Sequence, residues 1–185
     1  GIFVHLDNVT GADGLGMLRS DQVDFAVGSM IDVPDDIRYR PIYSFRPVLI
    51  ASRDHPLSRR STLSLADISP YGLILPPKRL TTYTMIDRVF QRHRLPFRVT
   101  MEVGGWEVIK RYVARGLGIS IVTSICLTDA DRDQLITRDV SEWFPQRTYG
   151  VVLRKGAYLT PQARRFIELM SPELFPEPAF ESAAP

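Results

Sequence analysis

The chain has 185 residues, of which 44% are hydrophobic and 24% charged, a composition that supports a globular protein and excludes fibrous, collagen-like and wholly disordered ones. The 23 Lys and Arg residues nearly balance the 21 Asp and Glu residues, for a formal net charge of +2, which excludes a surface built to hold nucleic-acid phosphates along its length. The single cysteine, Cys126, can form neither an internal disulfide nor a multi-cysteine metal site. It fits a reducing compartment, so the cytoplasm is the expected location.

The two ends of the sequence differ in pattern. The chain opens on alternating apolar residues typical of a strand, and it has neither a signal peptide's apolar run nor the roughly 20 apolar residues of a membrane span. We therefore expect neither secretion nor a membrane partner, and a strand so close to the first residue suggests an excised fragment. After Met170, Pro and Glu dominate without an apolar period, which predicts a loose tail from about residue 171.

The first predicted elements lie within residues 2–29. Ile2, Val4 and Leu6 alternate along a predicted strand, and turn residues then lead into a short helix. A nearly continuous apolar run at 23–29 predicts a strand covered on both faces, as in a parallel sheet. The pattern therefore predicts a strand–helix–strand crossover at the start of the chain.

The rest of the chain continues to alternate between strand and helix patterns. Strands are predicted at 37–43, 46–52, 71–76, 97–103, 118–123, 134–138 and 148–154, and helices at 63–68, 106–115 and 161–170. After the polar loop at 78–84, a further amphipathic helix is predicted with Ile86, Val89 and Phe90 on one side. This order predicts an α/β fold with a mostly parallel sheet. Proline-containing strand exits near 50–56 and 140–150 predict two small lobes. Lobe I would comprise 1–53 with 146–185, and lobe II would comprise 54–145.

Enzyme and metal-site motifs are absent from the sequence. It has no His-Glu-x-x-His helix, no Gly-x-x-x-x-Gly-Lys phosphate loop, no Gly-x-Ser-x-Gly elbow and no strand-linked Gly-x-Gly-x-x-Gly. His5, His55 and His93 have no spacing that would let two of them ligate one metal. Cys126 has no histidine near it in sequence and fits a small buried side chain. We expect no catalytic residue, no metal and no cofactor.

Three polar turns fall between the end of a predicted strand and the start of a predicted helix, where open α/β sheets bind ligands. They contain Thr10 and Gly11; Thr81, Thr82 and Thr84; and Gly104, Gly105 and Trp106. Helix starts carry unpaired N–H groups and the positive end of the helix dipole, so each suits an anion or a carboxylate. The same residue types are also ordinary caps and turn formers. Trp106 fits core packing as well as it fits covering a ligand or the other lobe.

Four segments together resemble the effector-binding domain of LysR-type bacterial transcriptional regulators, and especially its CysB-like branch. They are 17–28, which ends in Asp-Phe-Ala-Val-Gly; 48–57; 63–68; and 108–120, in which Val-Ile-Lys precedes Gly-Leu-Gly-Ile. The resemblance covers about residues 2–170. It implies two Rossmann-like lobes of the type 2 periplasmic-binding-protein fold with a ligand cleft between them.

The resemblance also implies where an inducer binds. Members of the CysB-like branch bind sulfate-type anions or small sulfur-pathway metabolites in the cleft, and the family's cleft positions fall on Thr10 or Gly11, Ser29, Thr81, Thr84 and 104–106. The sequence departs from that branch at 81–84 and 104–106, which leaves the ligand open. The family's helix-turn-helix, and the first strand and helix of its effector domain, have no counterpart in this sequence, which predicts an exposed sheet edge.

The resemblance leads us to expect the inducer-sensing and oligomerising domain of a LysR-type regulator, which binds a small anion or small organic acid. Its expected partners are the inducer and copies of the same chain, as a dimer or tetramer. DNA would be contacted only through a helix-turn-helix domain absent from this chain. A solute-binding protein of a transport system would have the same fold and is the alternative. An enzyme on this fold is the third reading, which the lack of an acid–base pair at motif spacing disfavours.

Overall fold

The computed structural model of the protein describes residues 2–174, so most of the tail predicted from about residue 171 lies outside the described residues. The strands are β1 (Ala26–Gly28), β2 (Ile37–Phe45), β3 (Pro47–Ser52), β4 (Gly72–Leu75), β5 (Arg98–Glu102), β6 (Ser120–Thr123), β7 (Leu135–Asp139) and β8 (Arg147–Arg154). The α-helices are α1 (Gly11–Arg19), α2 (Leu65–Ile68), α3 (Thr81–Arg92), α4 (Trp106–Ala114) and α5 (Pro161–Met170). None of the helices within residues 2–174 has the length and apolarity needed to cross a membrane.

The chain divides into two compact units by its internal contacts. The first unit contains the residues up to Tyr43 and those from Tyr149 onward, and the second contains Ser44–Thr148. The chain therefore passes from one unit to the other twice. β3 pairs with β6 and β7 inside the second unit, whereas the predicted boundary at 53–54 assigns it to lobe I. The exact boundaries of the lobes stay a prediction.

The first unit is built on a sheet of order β1–β8–β2. β1 runs antiparallel to β8, and β8 approaches β2 closely at Gly150. Any side chain there would clash, because a Cβ on Gly150 would lie 2.2 Å from the carbonyl oxygen of Arg40. A small core forms where Leu18 of α1 meets Ile37 and Val152, so α1 packs onto the sheet.

The second unit contains an antiparallel sheet of order β6–β3–β7 and a parallel pair, β4–β5. A parallel bridge between Leu73 and Ile119 links β4 to the residue before β6. Gly118 permits this approach, since a Cβ on it would lie 2.7 Å from the carbonyl oxygen of Gly72. This bridge joins the parallel pair to the antiparallel sheet of the second unit.

Two hydrophobic clusters cover opposite faces of β3 in the second unit. Leu49 and Ala51 belong to the larger cluster, whereas Val48 and Ile50 belong to the smaller one, as the alternation of side chains along a strand requires. α3 contributes buried residues only to the larger cluster and α4 only to the smaller. The two helices therefore bury their apolar faces on opposite sides of the same strands.

The predicted first strand is wrong. Residues 2–10 form no strand and pair with none in the described chain, and Ile2 and Leu6 are 65% and 88% exposed. Alternation of apolar residues indicates which side chains share a face, but a strand also needs a neighbour to receive its backbone hydrogen bonds. Without that neighbour the predicted strand–helix–strand crossover does not form.

The predicted mostly parallel sheet is wrong as well. Among residues 2–174, β1–β8, β3–β6 and β3–β7 pair antiparallel, and β4–β5 is the parallel pair of strands whose register is defined. A continuous apolar run shows that a strand is covered on both faces and leaves the direction of its neighbours open. β3 and β6 are buried in this way although they run antiparallel.

Candidate ligand-binding site

The five helices of the described chain differ in how their first turns are satisfied. Side chains of Thr10, Ser64 and Thr160 cap α1, α2 and α5 by accepting a hydrogen bond from a backbone N–H of the first turn. α3 begins after Leu80 and α4 after Gly105, and neither of these residues makes a side-chain cap. An uncapped start leaves N–H donors available to another group.

The two uncapped starts follow the two parallel strands. β4 leads into α3 and β5 leads into α4. The pairing continues beyond the strands, where the N–H of Val103 donates to the carbonyl of Leu75 at 2.9 Å. The carboxyl ends of parallel strands lie at one edge, so both helices begin near the same edge of the second unit, which is the usual ligand position in open α/β sheets.

The first turn of α3 offers donors without acceptors. The N–H groups of Tyr83 and Thr84 donate to the carbonyl of Leu80 at 3.0 and 3.4 Å. The N–H groups of Thr81 and Thr82 have no acceptor in the part of the chain that the structure describes. These two groups lie at the positive end of a 12-residue helix, where a negatively charged atom is stabilised.

The threonine side chains of this turn are held by Arg147, the first residue of β8. Its Nη1 donates to the Thr82 hydroxyl at 2.7 Å, and its Nη2 donates to the Thr81 hydroxyl at 2.6 Å. Thr82 and Arg147 are only 6% and 9% exposed. An arginine can only donate, so each hydroxyl must direct its own proton away from Arg147. Thr84 lies half-buried one turn beyond Thr81, on the same side of the helix.

The sequence pattern predicts the three threonines in a loop before the helix, and it does not point to Arg147. The structure corrects the first point, because the helix begins at Thr81 and the threonines occupy three of its first four positions. Arg147 is 65 residues from Thr82, a separation that no local pattern spans. The sequence does hold one hint of this contact. Arg147 directly precedes the apolar strand predicted at 148–154, and a charged side chain next to a buried strand needs hydrogen-bonding partners.

At the start of α4, Gly105 has a φ of 86°, a left-handed conformation that favours glycine. Trp106 is half-buried and packs on the smaller hydrophobic cluster together with Met101 and Val103. Core packing therefore accounts for part of the indole surface. A Cβ on Gly104 would meet no atom within 4 Å, so the space beside this residue is unoccupied. Its role in binding stays a prediction.

Thr10, Gly11 and Ser29 lie in the first unit. The Thr10 hydroxyl donates to the Asp13 carboxylate at 2.5 Å and accepts from the Asp13 N–H at 3.4 Å, so its hydrogen-bonding capacity serves the helix. Gly11 is the first residue of α1, and Ser29 is half-buried directly after β1. Their part in ligand binding stays a prediction.

A buried lysine, to which no sequence motif points, anchors α4. Lys110 Nζ donates to Asp131 at 2.8 Å, to Glu107 at 2.7 Å and to the Cys126 carbonyl at 2.9 Å. Burial alone would lower the pKa of Lys110, but its bonds to Asp131 and Glu107 outweigh burial and raise it. Burial raises the pKa of the Cys126 thiol, which disfavours a nucleophilic thiolate.

An open pocket of about 640 Å³ lies in the second unit beside the 124–132 segment. Arg46 and Asp139 on its wall are 3.5 Å apart, and Arg132 and Asp129 are 3.3 Å apart. Both ion pairs are long and solvent-exposed, and the pocket wall therefore carries both positive and negative charges. None of the predicted binding residues lines this pocket. The helix starts, where N–H groups of α3 have no acceptor among the described residues, are the stronger candidate site. Within residues 2–174, no three His, Cys, Asp or Glu side chains are grouped to hold a metal ion.

Comparison with known proteins gives a consistent family. The family described as LysR substrate binding domain matches residues 1–174. The HTH-type transcriptional regulator SsuR of Burkholderia cenocepacia is 32% identical over 160 residues, which cover 85% of this chain and 52% of that protein. CysB of the same organism is 29% identical over 175 residues, covering 92% and 56%. The chain spans about half the length of the curated relatives it matches.

Solved structures agree on the fold. The cofactor-binding domain of the Cbl transcriptional regulator superposes with a TM-score of 0.80 at 26% identity, over 88% of this chain and 72% of that one. The regulatory domain of Synechocystis CcmR in complex with 2-PG superposes with a TM-score of 0.79 at 25% identity, over 92% and 82%. The predicted α/β fold of the type 2 periplasmic-binding-protein class is confirmed.

Proposed function

Because the chain belongs to the LysR substrate binding domain family, we propose that it is the effector-binding domain of a bacterial transcriptional regulator and that it binds a small anion or small organic acid. The relatives it matches are themselves regulators, which favours this reading over a transport protein or an enzyme. No catalytic role is assigned to any residue. Such a regulator acts on the bacterial chromosome, so the cytoplasm is the location that follows.

The observation that carries the proposed ligand class is the first turn of α3. It presents the N–H groups of Thr81 and Thr82 together with two hydroxyl protons that Arg147 cannot accept. A carboxylate or oxyanion supplies several acceptor oxygens close together, and the helix dipole favours its charge. Thr84 and the open turn at 104–106 complete the proposed site within the second unit.

The ligand would act by population shift. It stabilises the conformation that binds it better, and by no more than the difference between its affinities for the two conformations. In the proposed regulator this change passes through contacts between copies of the chain, in a dimer or tetramer, to a helix-turn-helix domain outside the 185 residues of this sequence. The CcmR domain, solved with 2-PG, supports a small effector for this fold.

The proposal is tested by a thermal-shift screen of the chain against sulfate, thiosulfate, acetylserine-like amino acids and small carboxylates, since a ligand that binds only the folded state raises Tm. For a ligand that does so, calorimetric titration of Thr81→Ala should show the loss of a charge-assisted hydrogen bond, worth roughly 1.5–3 kcal/mol. Thr81→Ser keeps the hydroxyl and should bind nearly as the natural chain does.

Thr62→Ala is the matched control, because Thr62 is exposed and lies outside every helix and strand. It should leave both Tm and affinity unchanged. A ligand that binds Thr81→Ala as tightly as the natural chain would place the site elsewhere in the molecule. A complete absence of ligand-dependent stabilisation across the panel would contradict the proposed ligand class.

A further inference from the structure

We propose that Arg147 is a positioning residue that makes the α3 site selective for ligands whose oxygens only accept hydrogen bonds. The inference rests on the proposed function, which places the ligand at Thr81 and Thr82, and it adds a residue and a selection rule to that site. Arg147 need not touch the ligand to act in this way. It acts through the two threonine hydroxyls that it holds.

The first step is the direction of the hydroxyl protons. Arg147 donates to both hydroxyl oxygens, through Nη1 at 2.7 Å and Nη2 at 2.6 Å. A hydroxyl has one proton and can otherwise rotate to donate or to accept. Here one lone pair of each oxygen is occupied by a guanidinium N–H, so each proton points away from Arg147. Neither proton has an acceptor within residues 2–174.

The second step is the composition of the site. The N–H groups of Thr81 and Thr82 are also donors without acceptors in the described chain. Four donors without acceptors among the described residues therefore lie on the first turn of α3. A fully deprotonated oxyanion can accept from all of them, whereas an oxyanion that carries its own O–H must leave that proton unsatisfied or turn it outward. Unmade hydrogen bonds at a buried site are costly.

The third step is the need for arginine. The two hydroxyls belong to successive residues of the helix, and one guanidinium reaches both because its two Nη atoms lie side by side in a rigid fork. A lysine carries the same charge on a single nitrogen and cannot hold both hydroxyls in this geometry. Arg147 is itself fixed, since it is 9% exposed and begins the strand β8.

The test separates positioning from charge. Sulfate and inorganic phosphate are titrated into the natural chain at mildly acidic pH, where phosphate carries protons and sulfate does not. The natural chain should prefer sulfate by about tenfold or more, the worth of one unmade hydrogen bond. Arg147→Lys and Arg147→Met should both bring the ratio of the two affinities close to one, because the released hydroxyls can rotate and accept from phosphate. Arg154→Lys, on the same strand but paired with Asp21, is the control and should keep the ratio of the natural chain.

Several outcomes overturn the inference. An Arg147→Lys variant with the natural affinity ratio would show that positive charge alone suffices, and a fall in both affinities at a constant ratio would show a purely structural role. If the variants do not fold, the natural chain decides alone: near neutral pH phosphate still carries a proton whereas sulfate carries none, so equal affinities of the natural chain for the two anions contradict the selection rule. A chain that binds another panel ligand through Thr81, without preferring sulfate to phosphate, refutes the role of Arg147 and leaves the proposed function standing.

Discussion

Helices α1 and α3 both begin with threonine after a turn, yet the two helices use their threonines in opposite ways. Thr10 is the N-cap of α1, and its hydroxyl is bonded to Asp13 of the same turn. In α3 the N-cap is Leu80, and Thr81 and Thr82 follow as the first two helical residues. A threonine at the N-cap accepts a hydrogen bond from the first-turn N–H groups, whereas a threonine one position later leaves those N–H groups without a side-chain acceptor. Whether a helix start is uncapped therefore depends on which residue occupies the N-cap position, and the residue composition of the turn does not reveal this.

The comparison also shows what an open start requires. α1 is stabilised locally by its cap, within four residues of sequence. The two uncapped helices are instead anchored by side-chain hydrogen bonds to distant segments: Arg147 of β8 holds α3, and Lys110 of α4 bonds to the 126–131 segment. An anchor of this kind is more deeply buried than the exposed cap of α1. Removing an anchor should therefore cost more stability than removing a cap.

The largest expected effect is that of Lys110→Met. Lys110 and Asp131 have side chains 4% and 16% exposed, so the variant leaves a largely buried carboxylate without its cation, which costs about 3–5 kcal/mol where such a pair is broken. Chemical denaturation of the variant should show this loss in the free energy of unfolding. Lys155→Met, at an exposed lysine, should lose almost nothing.

The pH dependence of the same pair gives the sign of the effect. Burial would raise the pKa of Asp131, but bonds from Lys110 and Thr128 hold it below the usual 3.8. A lowered carboxyl pKa contributes stability that is present above 3.8 and is lost as the pH falls towards the folded-state pKa. The difference in free energy of unfolding between the natural chain and Lys110→Met should therefore become smaller as the pH falls below 3.8. A constant difference would show that the packing of the introduced methionine, and not the carboxylate, sets the loss.

These anchors mark the boundary of what the sequence could predict. The spacing of apolar residues predicted the helices and the strands from residue 37 onward, because the buried face of each helix or strand repeats at a fixed spacing along the sequence. The turns at 81–84 and 104–106 were identified because strand-to-helix connections have a local composition. Arg147 and Lys110 were missed because their partners lie far along the chain. The strand at 2–6 was predicted wrongly because pairing, unlike alternation, depends on a neighbour.

A smaller effect is expected for Thr10→Ala, which removes the cap from α1. The loss of an N-cap hydroxyl costs about 1 kcal/mol, and Thr10→Asn should restore most of it because asparagine also caps. Ligand affinity, measured with whichever panel compound depends on Thr81, should not change, because the Thr10 hydroxyl is already engaged by Asp13. An affinity loss that Thr10→Asn does not restore would instead place Thr10 against the ligand, as the resemblance implies.

The smallest change in stability is expected when α3 is given a side-chain N-cap like that of α1. This substitution also tests the comparison of the two helices most directly. Leu80 has the extended backbone of an N-cap, with φ −91° and ψ 142°, so Leu80→Ser can accept from the Thr82 N–H without rearrangement. The free energy of unfolding should rise by about 0.5 kcal/mol, while affinity for the Thr81-dependent ligand should fall about tenfold because serine occupies a donor that the ligand uses. Leu80→Ala, which removes the same side chain without adding a cap, should keep the affinity. If Leu80→Ser gains stability and binds as the natural chain does, the ligand makes no use of the open helix start.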